Sequence, residues 1–239
     1  MGMPITVEIV GAKSFKDIDN VFDYFEQVDT RYSTYKPDSE ISHINGGLPR
    51  AQWSAEMQRV LALCDQTKRE THGYFDTARD DGYLDPSGLV KGWAIHNAAQ
   101  LLVKRGRYNF YIEAGGDIQT HGLNDAGGAW IVGVRNPFNM DEVVKVLHLR
   151  GEGIATSGSY VRGQHIYNPH GYRPVTEVAS LTVIAPNIYE ADRFATAAYA
   201  MGKSGIAFIE TRPGLEGYMI DDNKIATFTS GFERYVADV

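Results

Sequence analysis

The chain has little cysteine, no long apolar run and no secretion signal. Cys64 is the only cysteine among 239 residues, which excludes an intramolecular disulfide and a zinc site built from thiolates. No segment reaches the roughly 18 apolar residues that a membrane-spanning helix needs. The N-terminus lacks a basic region followed by an apolar block. We therefore expect a cytoplasmic protein without a membrane span, or else an extracytoplasmic protein whose leader has been removed.

Positive charge is also scarce. The chain has 23 Lys and Arg residues against 30 Asp and Glu residues, which gives a formal net charge of −7. The average field therefore repels a polyanion, and we expect no nucleic-acid partner. A local cationic pocket for a small phosphate remains consistent with this charge.

The most informative stretch runs from Ala191 to Thr196, inside a segment that is predicted to be helical. Asp192 and Thr196 are four residues apart, so their oxygens lie on one helix face, one turn apart. Two hard oxygen donors in this arrangement indicate a Mg²⁺ held against a phosphate. The alternative is an exposed aspartate beside a threonine whose hydroxyl bonds back to the helix.

Helix and strand patterns do not alternate regularly, and no linker or repeat divides the chain. We therefore predict a single α+β domain over residues 1–239 rather than a doubly wound sheet. Helices are expected after a Ser14 cap, over Ser54 to Glu70 and Leu89 to Lys104, after an Asn187 cap and from Ser204. The polar segment from Tyr32 to Asn45 is predicted to form turns. Strands are expected over Ile5 to Val10, Asn109 to Glu113, Ala129 to Val134, Val143 to Leu149, Leu181 to Ala185, Glu216 to Asp221 and Ile225 to Ser230.

Two glycine-containing segments are candidate binding elements. Residues 85–92 place small side chains and Lys91 at the start of a helix, where backbone N–H groups can approach an anion; an ordinary capping turn is the alternative. Residues 113–117 place a Gly-Gly pair after a strand. The pair permits close approach of a ligand, or else forms a simple turn in which Asp117 bonds to its own backbone.

A third candidate segment combines hydroxyl groups with a histidine. It runs from Ala155 to Ser159 and continues with His165 to Pro169 and Gly171 to Val175. His165 can act as a general base on an acceptor hydroxyl, because the pKa of a free imidazole lies near neutrality. A structural histidine beside a strand is the alternative.

Taken together and in this order, these segments resemble the ApbE family, the FAD:protein FMN transferases. The resemblance extends over nearly the whole chain and rests on Met1-Gly2, Ser33-Thr34-Tyr35, Asp38 to Ser42, Gly73 to Asp76, Asp85 to Gly92, Gly115-Gly116-Asp117, Thr156-Ser157-Gly158, His165 to Pro169 and Ala191 to Thr196. It implies a compact α+β fold of the T-fold-related ApbE type, with mixed or antiparallel sheets and packed helices. It also implies transfer of the FMN part of FAD to a Ser or Thr hydroxyl of an acceptor flavoprotein, with release of AMP.

The resemblance assigns roles to individual residues. Mg²⁺ would be held by the Gly88 carbonyl and by the side chains of Asp192 and Thr196. His165 would lie at the reaction centre, and either His165 or Asp192 would take the acceptor proton. The FAD site would be lined by Met1, Tyr35, Tyr74, Phe75, Asp76, Asp85, Lys91 and Ile166. The rings of Tyr35 and Phe75 are candidates for stacking on the flavin or the adenine.

Three positions depart from the usual family pattern. Val90 replaces a smaller residue before Lys91, and Ser159 and Asn168 stand where the family commonly has aspartate. Two other functions stay open, and the loss of two carboxylates bears on the second of them. One is FAD pyrophosphatase activity, in which water replaces the acceptor hydroxyl; the other is FAD binding without catalysis.

Overall fold

The computed structural model describes residues 2–12, 14–79, 81–159 and 166–237. Within these ranges the helices are α1 (Lys16–Tyr32), α2 (Glu40–Asn45), α3 (Ala55–Glu70), α4 (Ser87–Lys104), α5 (Ile188–Ala200) and α6 (Gly205–Glu210). The strands are β1 (Ile5–Ile9), β2 (Phe110–Ala114), β3 (Asp117–His121), β4 (Trp130–Asn136), β5 (Asn139–Leu149), β6 (Gly153–Gly158), β7 (Tyr167–Asn168), β8 (Arg173–Pro174), β9 (Val178–Ala185), β10 (Glu216–Asp221) and β11 (Ala226–Phe228).

A seven-stranded antiparallel sheet organises the chain. Its strand order is β1-β2-β3-β6-β9-β10-β11, and every neighbouring pair is antiparallel. The hairpin of β4 and β5 forms a separate two-stranded sheet, as do the short strands β7 and β8. Among the residues described, none of the helices combines the length and hydrophobicity that crossing a lipid bilayer requires.

Apolar side chains are buried on both faces of the sheet, which produces three layers. Strand β9 shows this directly, because Leu181 and Val183 belong to the core under the helices, whereas Ile184 belongs to a second core. Alternate residues of a strand point to opposite faces. The second core also contains Val132 and Leu147 of the β4–β5 hairpin, so this hairpin covers the face opposite the helices.

Helix α5 lies between α4 and the sheet, in contact with β6 and β9. Its sequence explains why it can be covered on nearly all sides. Ten of its residues are buried, and five of these are alanines, whose small side chains allow neighbouring elements to come close. Asp192 and Arg193 are buried with them.

The α+β prediction is confirmed, and most predicted helices and strands are present. Ser54 caps α3 through a 3.0 Å bond from Met57 N, and Asn187 caps α5 through a 3.0 Å bond from Glu190 N. The Ser14 cap was wrong: α1 starts at Lys16, Phe15 occupies the cap position, and no side chain caps it. The turn prediction for Tyr32 to Asn45 was wrong in its last part, because Ser39 caps the short helix α2.

Strands β3 and β6 were not predicted, because their buried residues are partly polar. Thr156 of β6 meets Thr182 of β9 through a 2.8 Å hydroxyl–hydroxyl bond. Gln119 of β3 accepts a 2.8 Å bond from Ile188 N at the start of α5 and donates to Gly151 O at 2.9 Å. These bonds satisfy buried polar groups that a hydrophobicity pattern counts as surface residues.

Arg193 attaches α5 to the end of α3. Its guanidinium is 7% exposed and pairs with Glu70 and, at 2.6 Å, with Glu190. It also donates to the Thr67 hydroxyl at 3.3 Å. These bonds fix the position of the helix that carries Asp192.

We expect Arg193→Met to lower the free energy of unfolding by roughly 2 to 3 kcal/mol, because it removes the shared partner of two carboxylates. Urea denaturation is the measurement. Arg79→Met is the matched control, since Arg79 pairs with Asp81 at an exposed position and should cost less than about 0.5 kcal/mol. Equal losses in the two variants would show that Arg193 does not anchor the helix.

Candidate active site

Helices α4 and α5 cross closely at two glycines of α4, and each glycine faces one of the predicted metal ligands. A Cβ built on Gly88 would lie 3.2 Å from Thr196 Cγ2. A Cβ built on Gly92 would lie 2.5 Å from Asp192 Cβ and 2.7 Å from the Ile188 carbonyl oxygen. The four-residue spacing of the glycines therefore matches the four-residue spacing of Asp192 and Thr196.

The crossing brings together oxygen donors from both helices. The Thr196 hydroxyl donates to the Gly88 carbonyl at 3.4 Å, and the Asp192 carboxylate accepts a 2.7 Å bond from Gly92 N through Oδ2. A carbonyl, a hydroxyl and a carboxylate are hard donors of the kind that Mg²⁺ takes in proteins. The three predicted metal ligands are therefore in one place and fit this ion.

Asp192 is 3% exposed, so the alternative of an exposed aspartate was wrong. Burial raises the pKa of the Asp192 carboxyl to about 7. The Lys91 ammonium opposes this pKa shift, whereas the Asp117 carboxylate adds to it. Removal from water is therefore the main reason that this carboxyl is less acidic than usual, and a nearby cation would favour its charged form.

Lys91 lies between two carboxylates. Its Nζ is 2.5 Å from Asp117 Oδ2 and 3.6 Å from Asp192 Oδ1. The Lys91 side chain is 16% exposed and that of Asp117 is 1% exposed. The predicted FAD-binding lysine is therefore part of the same cluster as the predicted metal ligands.

The Gly-Gly pair before Asp117 forms the turn between β2 and β3. Gly115 and Gly116 have φ values of 59° and 92°, as a two-residue hairpin turn requires. Glu113 Oε1 accepts a 2.7 Å bond from Gly116 N and closes the turn. The simple-turn alternative, in which Asp117 bonds to its own backbone, is therefore wrong. Asp117 Oδ1 instead accepts a 3.2 Å bond from Thr156 N of β6.

Asp85 and Asp76 have local partners in this structure. Asp85 Oδ1 accepts a 3.0 Å bond from Ser87 N at the start of α4, and Asp76 forms a 2.6 Å ion pair with Lys68. Asp85 also lines a surface cavity of about 310 Å³ together with Thr34, Ser42, Asn45, Arg79, Asp81, Tyr83 and Leu84. Tyr35, next in sequence to Thr34 of this cavity, has a side chain that is 95% exposed.

The remaining predicted FAD residues differ in exposure. Phe75 is 3% exposed and its Cε2 lies 3.3 Å from the Cβ position of Gly88, so its ring is a core element. The expectation that Phe75 offers an open stacking face is therefore wrong for this structure. Tyr74 is half-buried and meets His170 edge-on, with ring centroids 4.5 Å apart. Ile166 is half-buried against the main core.

Two of the predicted site residues, Met1 and His165, lie outside the described residues. Their roles at the FAD site and at the reaction centre stay predictions. Across the ranges that the structure describes, no three His, Cys, Asp or Glu side chains come together in a way that could hold a metal ion. The predicted magnesium ligands are one carboxylate, one hydroxyl and one backbone carbonyl, so they are not a cluster of this type.

Gly92 and Asp117 were missed as individual site residues. The signal for Gly92 was its distance of four residues from Gly88, which repeats the spacing of Asp192 and Thr196. Asp117 was noticed only as a turn residue, and its contact with Lys91 depends on how β3 packs beside α4. The spacing of residues in the sequence therefore could not predict the contact between Asp117 and Lys91.

Comparisons with known proteins identify the fold and the family of this chain. A structure of the flavin transferase ApbE from Vibrio cholerae superposes with a TM-score of 0.86 at 24% identity, covering 98% of this chain and 96% of that one. The ApbE protein from Thermotoga maritima gives a TM-score of 0.86 at 20% identity, covering 99% and 96%. The chain therefore has the fold of these proteins.

The sequence profile of the ApbE family matches residues 1–79 and 77–219, and the chain belongs to that family. It is 29% identical to the FAD:protein FMN transferase of Salmonella typhimurium, covering 78% of this chain and 55% of that protein. It is 32% identical to the Escherichia coli protein of the same name, covering 67% and 48%. The chain thus spans about half the length of these curated relatives.

Gly92→Ala tests the close crossing of α4 and α5. The added methyl group would overlap Asp192 Cβ, so we expect the free energy of unfolding to fall by about 1 to 3 kcal/mol, although alanine is the better helix former. Mn²⁺ binding, measured by electron paramagnetic resonance, should weaken in parallel. Gly151→Ala is the control, because a Cβ there meets nothing within 4 Å. Normal stability and Mn²⁺ binding in Gly92→Ala would rule out a constraint at this crossing.

Proposed function

We propose that this chain transfers the FMN part of FAD to a Ser or Thr hydroxyl of an acceptor flavoprotein, with Mg²⁺ as cofactor and AMP as the second product. The observation that carries the proposal is the set of oxygen donors from Gly88, Asp192 and Thr196 at the crossing of α4 and α5. Membership of the ApbE family, and relatives named FAD:protein FMN transferase, support the same reaction.

The metal site is supported by the chemistry of its donors. Gly88 O, Thr196 Oγ1 and the Asp192 carboxylate would hold Mg²⁺, which keeps its other positions for water and phosphate oxygens. When bound, Mg²⁺ would neutralise charge that develops on the diphosphate oxygens as the bond from the FMN phosphorus to the bridging oxygen breaks. Burial raises the pKa of Asp192, and a cation bound beside this carboxylate would favour its charged form.

Residues of the chain would bind and orient the diphosphate. The diphosphate would lie near the start of α4, because the N-terminus of a helix favours negative charge, and Lys91 lies on the first turns of the same helix. The exposed ring of Tyr35 and the cavity beside Asp85 offer surface for a flat ring system. Asp85 and Tyr35 would therefore contact the nucleotide, while Lys91 lies nearer the metal ligands.

The transfer step balances as a substitution at phosphorus. The acceptor oxygen forms a bond to the phosphorus atom that carries FMN, and the bond from that atom to the oxygen of AMP breaks. The hydroxyl proton passes to a base, for which His165 is the candidate by resemblance and Asp192 the alternative. AMP leaves with the bridging oxygen.

The proposed reaction predicts a covalent product. FAD and Mg²⁺ are incubated with the chain and a peptide of the sequence Asp-Gly-x-Ser/Thr-Gly-Ala-Ser/Thr, the acceptor motif that the resemblance to the ApbE family implies. The mass of the peptide is then measured by mass spectrometry. We expect the peptide mass to rise by one FMN less one water, with AMP in equal amount. A peptide in which valine replaces each Ser and Thr is the control and should not gain mass.

The same assay separates the alternatives. Free FMN and AMP without a change in peptide mass would show a pyrophosphatase and contradict the transferase proposal. FAD binding without AMP release at any Mg²⁺ concentration would show a binding protein. Hydrolysis requires only that water occupies the position of the acceptor hydroxyl.

Asp192→Ala should abolish Mg²⁺-dependent turnover, with a loss of at least about 100-fold, because the metal site loses its anionic ligand. FAD binding in the absence of metal should be partly retained, and fluorescence quenching of the flavin measures it. Asp125→Ala is the control, since Asp125 is exposed in the turn before β4. Unchanged turnover in Asp192→Ala would refute the metal assignment.

A further inference from the structure

The ion pair between Asp117 and Lys91 has no function in the proposed reaction. Asp117 Oδ2 is fully buried, and its 2.5 Å ion pair with the Lys91 ammonium compensates its charge within the described residues. A buried carboxylate needs such a partner, because removal from water is costly for an ion.

Asp117 is held rigidly at its place in the sheet. It begins β3 directly after the Gly115-Gly116 turn, and its Oδ1 accepts a bond from Thr156 N in the neighbouring strand β6. Lys91, in contrast, ends in a flexible four-carbon side chain. The carboxylate is therefore the fixed partner of this pair, and the ammonium is the adjustable one.

Lys91 faces a second carboxylate at a longer distance. Its Nζ is 3.6 Å from Asp192 Oδ1, whereas Asp192 Oδ2 is occupied by the bond from Gly92 N. A shift of about 1 Å by the ammonium would bring it into contact with Asp192 Oδ1. An ammonium in that position would compete with a metal ion for the same oxygen.

We propose that Asp117 is a positioning residue, which binds the Lys91 ammonium and thereby keeps the Asp192 carboxylate available to a divalent cation. The inference rests on the metal site of the proposed function. It assigns no metal contact to Asp117. It predicts instead that loss of the Asp117 charge weakens metal binding through Lys91.

The test is Mn²⁺ binding to the chain alone, measured by electron paramagnetic resonance without FAD or acceptor. In Asp117→Asn the ammonium moves to Asp192, and Mn²⁺ binding should weaken on the order of tenfold. In the double variant Lys91→Met with Asp117→Asn the competitor is gone, and binding should return to within about threefold of the wild type. Lys91→Met alone should bind Mn²⁺ at least as tightly as the wild type.

A crystal structure of metal-free Asp117→Asn separates positioning from net charge. We expect Lys91 Nζ to lie at ion-pair distance from Asp192 Oδ1, closer than the present 3.6 Å. An unmoved ammonium would overturn the proposal even if Mn²⁺ binding were weaker, because the effect would then come from charge alone. Weak binding in the double variant would overturn it as well.

Thermal unfolding shows whether each variant is folded. Should Asp117→Asn fail to fold, Lys91→Met still decides, because weaker Mn²⁺ binding in that variant contradicts a competing ammonium. A wild-type chain that binds no Mn²⁺ contradicts the proposed metal site itself. Wild-type binding with an unchanged Asp117→Asn contradicts only the role of Asp117, so the two failures are distinguishable.

Discussion

The close crossing of α4 and α5 at Gly92 is the constraint on which the site depends. Because Gly92 has no side chain, its backbone N–H reaches the Asp192 carboxylate at 2.7 Å in the interior. The same approach brings Gly88 O to the Thr196 hydroxyl. The alanines of α5 allow that helix to lie between α4 and the sheet, and Arg193 fixes it to α3. A site at this depth therefore follows from small residues on two helices.

Much of the fold could be predicted from local patterns. Helix α5 was predicted from its capping residue Asn187, and the final pair of strands from two strand patterns separated by a turn. Strands β3 and β6 were missed because Gln119, Thr120 and Thr156 are polar yet lie in the sheet. Their burial depends on hydrogen bonds to distant segments, which no local window contains.

Site residues that lie close together in the sequence could be predicted, whereas contacts between distant segments could not. Asp192 and Thr196 lie one turn apart on a helix, and the Gly88 carbonyl followed from the family resemblance; the structure places all three together. Phe75 was predicted to stack on the flavin or the adenine because its ring is flat and apolar. The same ring can equally lie in the hydrophobic core, and the sequence alone does not distinguish the two positions. Only the tertiary structure shows that the core encloses it.

The charges of the cluster connect the site to the class of substrate. Within the part of the chain that the structure describes, Asp117 and Asp192 share the ammonium of Lys91, and burial raises the pKa of Asp192 to about 7. A diphosphate brought to the start of α4 would add negative charge to a region that is short of positive charge. Lys91 cannot serve two carboxylates and a diphosphate at full strength, because its attraction is divided among them. Under the proposed function, a cation bound together with the diphosphate would offset this negative charge.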